Sequence, residues 1–356
     1  MASETTKSVP LTCHGHSRPI THLSFSPSSP TTPSSSTSPY YLISACKDNN
    51  PMLRDGLTGD WIGTFIGHKG AVWSARLSGD ASLAATGSAD FSAKVWDTFT
   101  GETLATLTHN HIVRAVAFPP IARPGVVATG GMEKRLRVWD IERASNGNFA
   151  APTNGHVDSS TNGDTNSVGH EIGHGTHEGT LKSIVWSHDP NVLTTASDDR
   201  KIRWWDLRSQ SAVSTYSVDG LIGSCELNNT LSNSSTGSTS TPNGVLSVAA
   251  GKSVYFFDGG RPGQLIKSVK TQHDVASVAF NGDVGSGGRY VTGGSGDTWV
   301  RVWDYEMEQE LETGKGHHGP VWTVSFSPDG KLYATGSEDG TIKLWKFTAG
   351  PYGLWR

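Results

Sequence analysis

Five stretches of the chain end alike: "AKVWD" at Asp97, "LRVWD" at Asp140, "IRWWD" at Asp206, "VRVWD" at Asp304 and "IKLWK" at Lys346, with tryptophans at Trp96, Trp139, Trp205, Trp303 and Trp345. A short unit repeated at a period of roughly 40 residues cannot bury its apolar face alone, so neighbouring copies must stack and share a core. The register extends beyond the tryptophan. Six residues before each one stands an acid: Asp90, Glu133, Asp199, Asp297 and Asp339. In "CKDNNPMLRD" Asp48 holds that place, and Arg54 stands for the tryptophan. Nine residues before the apolar end of a unit's first strand (Phe25, Leu77, Phe118, Trp186, Phe326) lies a histidine: His16, His68, His109, His177 and His317. Three of these form Gly-His pairs, at Gly15, Gly67 and Gly316. The interval from histidine to acid is 22 residues in the second, fourth and seventh units, 24 in the third, and 32 in the first, which carries an insertion.

Gly-His, acid and Trp-Asp at these spacings are the WD-repeat signature, in which each unit supplies four strands to a propeller blade. Two further units are degenerate. The fifth, "VLSVAAGKSVYFFDGG", puts Phe257 in the tryptophan place and has neither histidine nor acid; the sixth keeps Asp297, with His273 two residues out of register. The total is seven. The expected fold is therefore all-β, one seven-bladed propeller over residues 1–356. The 42 glycines and a charged fraction of only 17% suit many strands and turns. Within a unit the histidine is expected to bond the acid. A serine (Ser88, Ser197, Ser337) would relay the contact, and the indole would cap it. A fully satisfied network of this kind rigidifies a blade. On paper it looks like a Ser-His-Asp triad, but a catalytic set appears once and this one recurs. No catalytic residue and no cofactor is predicted.

Three segments rich in Ser, Thr, Asn, Gly and Pro interrupt the repeats, at 26–39, 144–176 and 228–244. They hold too little apolar surface to order themselves and read as surface loops. Ser29, Thr32 and Ser38 each precede a proline and are candidate phosphorylation sites. Ser327-Pro328-Asp329-Gly330 reads instead as a strand-linking turn. The N-terminal "SVPLTC" is expected to pair with the last three strands, at about 318–348, completing the seventh blade and removing a free sheet edge. The tail "GPYGLWR" either packs back on the last blade or docks a partner.

One stretch points elsewhere. In "GHEIGHGTHEG", residues 169–179, His170, Glu171 and His174 spell H-E-x-x-H, a zinc-protease signature. That chemistry needs a helix, so that both histidines share one face. Gly169, Gly173, Gly175 and Gly179 oppose one, at about 1 kcal/mol for each interior glycine. The longer version of the pattern requires Gly and His where His177 and Thr180 stand. A zinc hydrolase is thus a remote alternative and no metal site is predicted. His177 is expected to serve the fourth blade, with Asp199 as its partner. Cys13, Cys46 and Cys225 are far apart and suit buried thiols in a reducing compartment. A net charge of −4 gives no broad electrostatic footprint for nucleic acid or membrane. Lys134, Arg135, Arg137, Lys201 and Arg203 alternate with strand residues and are expected to decorate the outer sheet. The start "MASETTKSVP" lacks a signal peptide's apolar run, and no stretch of 18 apolar residues occurs. The expectation is a cytoplasmic and nuclear protein with no small-molecule substrate.

Longer stretches narrow the choice among propellers. "PLTCHGHSRPITHLSFS", "YYLISACKDNNPMLRDGLTGDWIGTFIGHKGAVW", "ADFSAKVWD", "GHHGPVWTVSFSPDGKLYATGSEDGTIKLW" and the terminal "YGLW" resemble the serine-threonine kinase receptor-associated protein family over most of the chain outside the three insertions. The stretch from Met52 to Trp73 and the YGLW tail are its specific parts. The resemblance implies a non-catalytic scaffold. That family associates with the survival-of-motor-neuron complex, which loads Sm proteins onto spliceosomal small nuclear RNAs, and in animals with kinase receptors. The low-complexity loops suit a fungal chain, in which ribonucleoprotein assembly and mRNA splicing outweigh receptor signalling. Gemin and Sm proteins are the implied partners, with any RNA contact indirect. The WD-repeat subunit of translation initiation factor three shares "GHKGAVW" and is the alternative.

A partner's docking place can be located by offset. Five residues after each histidine, early in the first strand and near the central channel, come Thr21, Trp73, Arg114, Lys182 and Trp322; the degenerate blades offer Gly223 and Ala276. Trp and Arg are enriched at binding hot spots. Two tryptophans here would either anchor a partner or cover the channel mouth.

Overall fold

Most strands in this protein are too deeply buried to alternate. Leu83–Ser88, Val245–Ala250 and Leu332–Ser337 are buried at every position. Such strands need cover on both faces. Only outer strands such as Thr103–Thr108 show the in-and-out pattern of a half-solvated sheet. The computed structural model describes residues 9–27, 40–146, 169–228, 244–282 and 287–355. Seven four-stranded antiparallel sheets stand face to face around one axis, a seven-bladed β-propeller.

Blade 1 runs Ile20–Phe25, Tyr41–Cys46, Met52–Asp55 and Trp61–Thr64. Blades 2 to 6 open with Val72–Leu77, Val113–Ala117, Leu181–Trp186, Ile222–Asn228 and Val275–Asn281. The first strands form a ring, closed where Val321–Phe326 of blade 7 lies against Ile20–Phe25. The core is correspondingly divided into seven apolar layers, one at each interface between blades. The repeated tryptophans fill these layers: Trp96 packs with Ile43 and Leu53 of blade 1, and Trp345 with Val300 and Val302 of blade 6.

The ring closes with the chain's two ends. Leu11–Cys13 forms the outer strand of blade 7, pairing Leu11 with Leu344 and Cys13 with Ile342. The Lys343 ammonium donates to Thr12 Oγ1 at 2.9 Å. The tail settles on the same seam: the Trp355 indole donates to the Val9 carbonyl at 3.0 Å, and the Tyr352 and Tyr40 hydroxyls lie 3.3 Å apart. Packing back is thus the reading the geometry supports. Ser327-Pro328-Asp329-Gly330 links the first two strands of blade 7, with the Gly330 N–H on the Ser327 carbonyl at 2.9 Å.

The segment 144–176 is not one loop. Its start belongs to a short helix, Ile141–Asn146, and its end to His170–Ile172, the outer strand of blade 3. Leu136 pairs with Ile172, and Ile172 is buried in the layer between blades 3 and 4. A single apolar residue in the right register is enough to make an outer strand, and a composition-based boundary misses it. Ser29, Thr32 and Ser38 lie outside the described residues.

Deleting residues 1–13 removes Cys13 from its layer and unpairs the edge of Ile342–Lys346. The variant is expected to lose at least about 2 kcal/mol of unfolding free energy. A urea midpoint equal to that of the full chain would show that blade 7 closes without this strand.

Candidate functional site

The repeated polar residues meet in a relay that ties the first loop, second strand and third strand of a blade together. In blade 2, His68 Nδ1 lies 2.8 Å from Asp90 Oδ2, His68 Nε2 lies 2.7 Å from Thr86 Oγ1, and the Trp96 indole donates to Thr86 Oγ1 at 2.8 Å. Blade 7 repeats it with His317, Asp339, Thr335 and Trp345. In these blades the relay hydroxyl is therefore a threonine, not the serine expected at 88 and 337; in blade 1 it is Ser44, 2.8 Å from His16 Nε2. Ser88 and Ser337 sit two residues further on, where each donates to a loop carbonyl (Gly70, Gly319) and accepts the N–H of the acid. Ser197 likewise accepts the Asp199 N–H. Residues two apart share a strand face, so the difference is one of position along the strand: Thr86 lies within reach of both imidazole and indole, and Ser88 lies at the turn. Burial alone would raise the acids, yet bonds from His16 to Asp48, and from the His318 N–H and Thr341 to Asp339, bring each down to about 2.

An arginine two residues before the tryptophan changes the relay. In blade 4, Arg203 bridges His177 Nδ1 at 3.2 Å and Asp199 Oδ2 at 2.9 Å, so His177 does not bond its acid directly. In blade 3 Arg137 likewise contacts both His109 and Glu133, although His109 Nδ1 stays 3.6 Å from Glu133 Oε1. Because an arginine only donates, Nδ1 of His177 accepts in blade 4, which puts the ring proton on Nε2, a buried atom without a hydrogen-bond partner among the described residues. The opposite tautomer fits blades 2 and 7. In blade 6, which has no histidine in register, Arg301 lies 2.7 Å from Asp297, and His273 Nδ1 stands 3.9 Å from the same acid. Arg137 and Arg203 thus point inward rather than decorating the outer sheet; Arg135 and Lys201 pair with Glu171 and Glu178. In blade 1 Arg54, in the tryptophan place, is buried and donates to the His14 and Gly59 carbonyls.

The residues expected at the channel mouth share one backbone device. The register of every first strand breaks at Thr21, Trp73, Arg114, Lys182, Gly223, Ala276 and Trp322. A β-bulge re-aims the extra residue's side chain. Here all seven positions line a cavity of about 650 Å³. The ring is lopsided. Blades 7 and 2 bring indoles, blades 3 and 4 bring cations, and blades 5 and 6 bring almost nothing. Gly223 is forced to be small: a Cβ there would sit 2.1 Å from the Ala276 carbonyl oxygen. Trp73 is packed, with the Arg114 guanidinium 4.1 Å and the Lys47 ammonium 5.7 Å from its ring centre. Trp322 is 38% exposed and donates to Glu338 at 2.6 Å. The Thr21 hydroxyl turns aside to the Val72 carbonyl at 2.6 Å and braces blades 1 and 2.

Deeper in the channel lies a knot that sequence reasoning missed. Glu226 of blade 5 accepts from Arg76 of blade 2 at 2.7 Å and lies 3.3 Å from His22 Nε2 of blade 1. Burial, then the Arg76 charge, lowers the His22 pKa. The three cross the axis and tie non-adjacent blades.

The zinc reading loses its helix. His170 and Glu171 lie on a strand, and Gly173 follows with φ +62, its Cα against the Trp205 ring. His174 Nδ1 instead pairs with Glu171 at 2.8 Å. His16, Cys46 and Asp48 also converge, within 4.8 Å. Their atoms are committed to one another, to Ser44 and to the Arg18 carbonyl, and burial pushes the Cys46 thiol up to about 12.

Two stability measurements follow from the relay. Thr86→Val leaves both an imidazole nitrogen and an indole N–H buried without a partner, and is expected to cost about 3 kcal/mol, against about 1 for Ser88→Ala. Equal losses in urea titrations would refute the threonine assignment. Burial, then the Arg203 charge, pulls the His177 pKa down to about 4. Its unfolded value is about 6.5, so its contribution is full above that pH and falls as pH drops toward 4. Between pH 7 and 4.5 the native chain should lose more stability than His177→Gln; identical losses would contradict a neutral buried His177.

Residues 7–54, 59–97, 101–140, 167–206 and 308–346 match the family model described as WD domain, G-beta repeat. The unmatched span holds blades 5 and 6, the two without a histidine in register. The chain is similar to the serine-threonine kinase receptor-associated protein of Gallus gallus, 40% identical over 352 residues, covering 98% of this chain and 86% of that protein. The Dictyostelium discoideum protein of the same name is 37% identical over 338 residues, covering 95% and 98%. Subunit I of eukaryotic translation initiation factor 3 from Culex quinquefasciatus is 26% identical over 359 residues, covering 96% and 98%. These relatives lend no support to a fungal origin. Repeat register, blade closure and similarity along nearly the whole length agree: this chain belongs to the serine-threonine kinase receptor-associated protein family of WD-repeat propellers.

Proposed function

We propose that the chain is a non-catalytic scaffold in a survival-of-motor-neuron-type complex, serving spliceosomal ribonucleoprotein assembly and mRNA splicing in cytoplasm and nucleus. Its partners would be Gemin- and Sm-type proteins, held at the channel mouth. The observation that carries a docking role is the ring of bulged residues, which turns Trp322 and two cations toward one cavity. Ordered polar groups beside exposed aromatic area are what protein-binding hot spots are made of. The family resemblance is what suggests the particular assembly, and the higher identity to kinase receptor-associated proteins supports that family over initiation factor 3.

Affinity purification with mass spectrometry tests the reading. Gemin and Sm proteins are expected to co-purify with the native chain and to be lost from Trp73→Ala/Trp322→Ala at an unchanged melting temperature. Recovery of initiation-factor subunits instead would transfer the chain to the translation machinery.

A further inference from the structure

The cationic side of the ring is only partly answered by the protein itself, through Asp198, whose charge acts on both Arg114 and Lys182. Among the described residues Arg114 makes no hydrogen bond and no ion pair; its guanidinium only stacks on Trp73. Other arginines facing the channel or the relays have carboxylates: Arg76 has Glu226, Arg137 Glu133, Arg203 Asp199 and Arg301 Asp297. Lys182 stands beside Arg114, with Asp198 3.4 Å away. Burial lowers the pKa of both, and the Arg114 charge lowers that of Lys182 further. Asp198 offsets this only in part, so burial leaves both cations at a disadvantage that a further anion would relieve. A guanidinium held over an indole, with no hydrogen bond of its own among the described residues, has the paired donors to take a carboxylate with two parallel bonds.

The surroundings select among anions. Asp274 and Glu226 line the same cavity, and Asp198 and Glu338 flank the ring. A nucleic-acid backbone would meet these carboxylates along with the cations, whereas a single carboxylate need not. Across the mouth, Gly223 and Ala276 leave a notch. Leu221, 61% exposed, and Trp322 flank it from blades 5 and 7.

We propose that the mouth receives an extended acidic segment of a partner protein, which crosses the Gly223–Ala276 notch, seats one Asp or Glu carboxylate on Arg114 and Lys182, and lays a neighbouring apolar side chain on Trp322 and Leu221. This assignment rests on the docking role of the face and names the chemistry it reads.

A random octapeptide library selected on the intact protein tests it, followed by fluorescence anisotropy of the selected peptides with native protein, Arg114→Lys, Arg114→Gln and Trp322→Ala, each checked by thermal melting. The selected peptides are expected to carry Asp or Glu beside an apolar residue. Converting that acid to its amide, or Arg114 to Gln, should each weaken binding about tenfold or more, with little added loss when combined. Arg114→Lys should fall between, since a point charge lacks the fork. Peptides weakened by Trp322→Ala but indifferent to Arg114→Gln would overturn the carboxylate seat and leave the docking face standing. Peptides indifferent to both would overturn the docking face as well. A labelled single-stranded RNA whose binding depends on Arg114 would assign the cations to phosphate and overturn the proposal.

Discussion

The hydrogen bond from a third-strand indole to a second-strand threonine is the contact around which each complete blade is organised. It spans ten residues in four blades, as in Trp96 to Thr86 and Trp345 to Thr335. It places a large ring in the layer between blades while satisfying that ring's one polar atom, so the layer is otherwise free to be dry. In blades 2, 3 and 7 the histidine then reaches the same oxygen from the preceding loop and fixes where the first strand begins. Where the indole is missing, other chemistry must hold the turn: Arg54 in blade 1 grips two carbonyls, and Phe257 in blade 5 relies on aromatic neighbours, with Trp204 5.2 Å and Tyr216 5.1 Å from its ring centre.

Much of this was legible in the sequence because a propeller repeats one unit, complete in four blades and partial in the other three. Histidine, acid and tryptophan stand at fixed offsets, and fixed offsets in strands mean fixed positions on a face. The threonine was equally periodic, ten residues ahead of the tryptophan, but a serine nearer the acid drew the assignment. The arginines were visible inside "LRVWD", "IRWWD" and "VRVWD". Their inward turn depends on there being a buried acid four residues earlier, which strand alternation by itself does not reveal. Least legible was the knot of His22, Arg76 and Glu226. Its members are separated by up to 204 residues and meet only because the ring closes. The outer strand of blade 3 was hidden for a different reason: "HEI" is three residues long and its letters spell a motif from another kind of protein.

The channel mouth shows how a symmetric frame yields an asymmetric face. Every blade carries the same bulge at the same place, so backbone geometry offers seven equivalent positions. Sequence then differentiates them. Close approach of blades 5 and 6 permits only glycine at 223, while blades 2 and 3 stack an indole on a guanidinium. Individual positions on such a ring can change without disturbing the relays, because relay and ring residues occupy different parts of the loop and strand. Binding specificity and blade integrity are thereby separable within a single unit.

The pairing of Leu11–Cys13 with Ile342–Lys346 has a consequence in time. During synthesis the first of these segments emerges early, and its hydrogen-bonding partner is among the last parts of the chain to be made. Lys343 and Thr12 are 331 residues apart, which at roughly 5–20 residues per second leaves the strand unpaired for tens of seconds. Throughout that interval the nascent propeller is an open arc with two raw edges and a partly uncovered apolar layer. The ring that makes the finished protein free of sticky ends makes the growing one dependent on shelter until its final blade arrives.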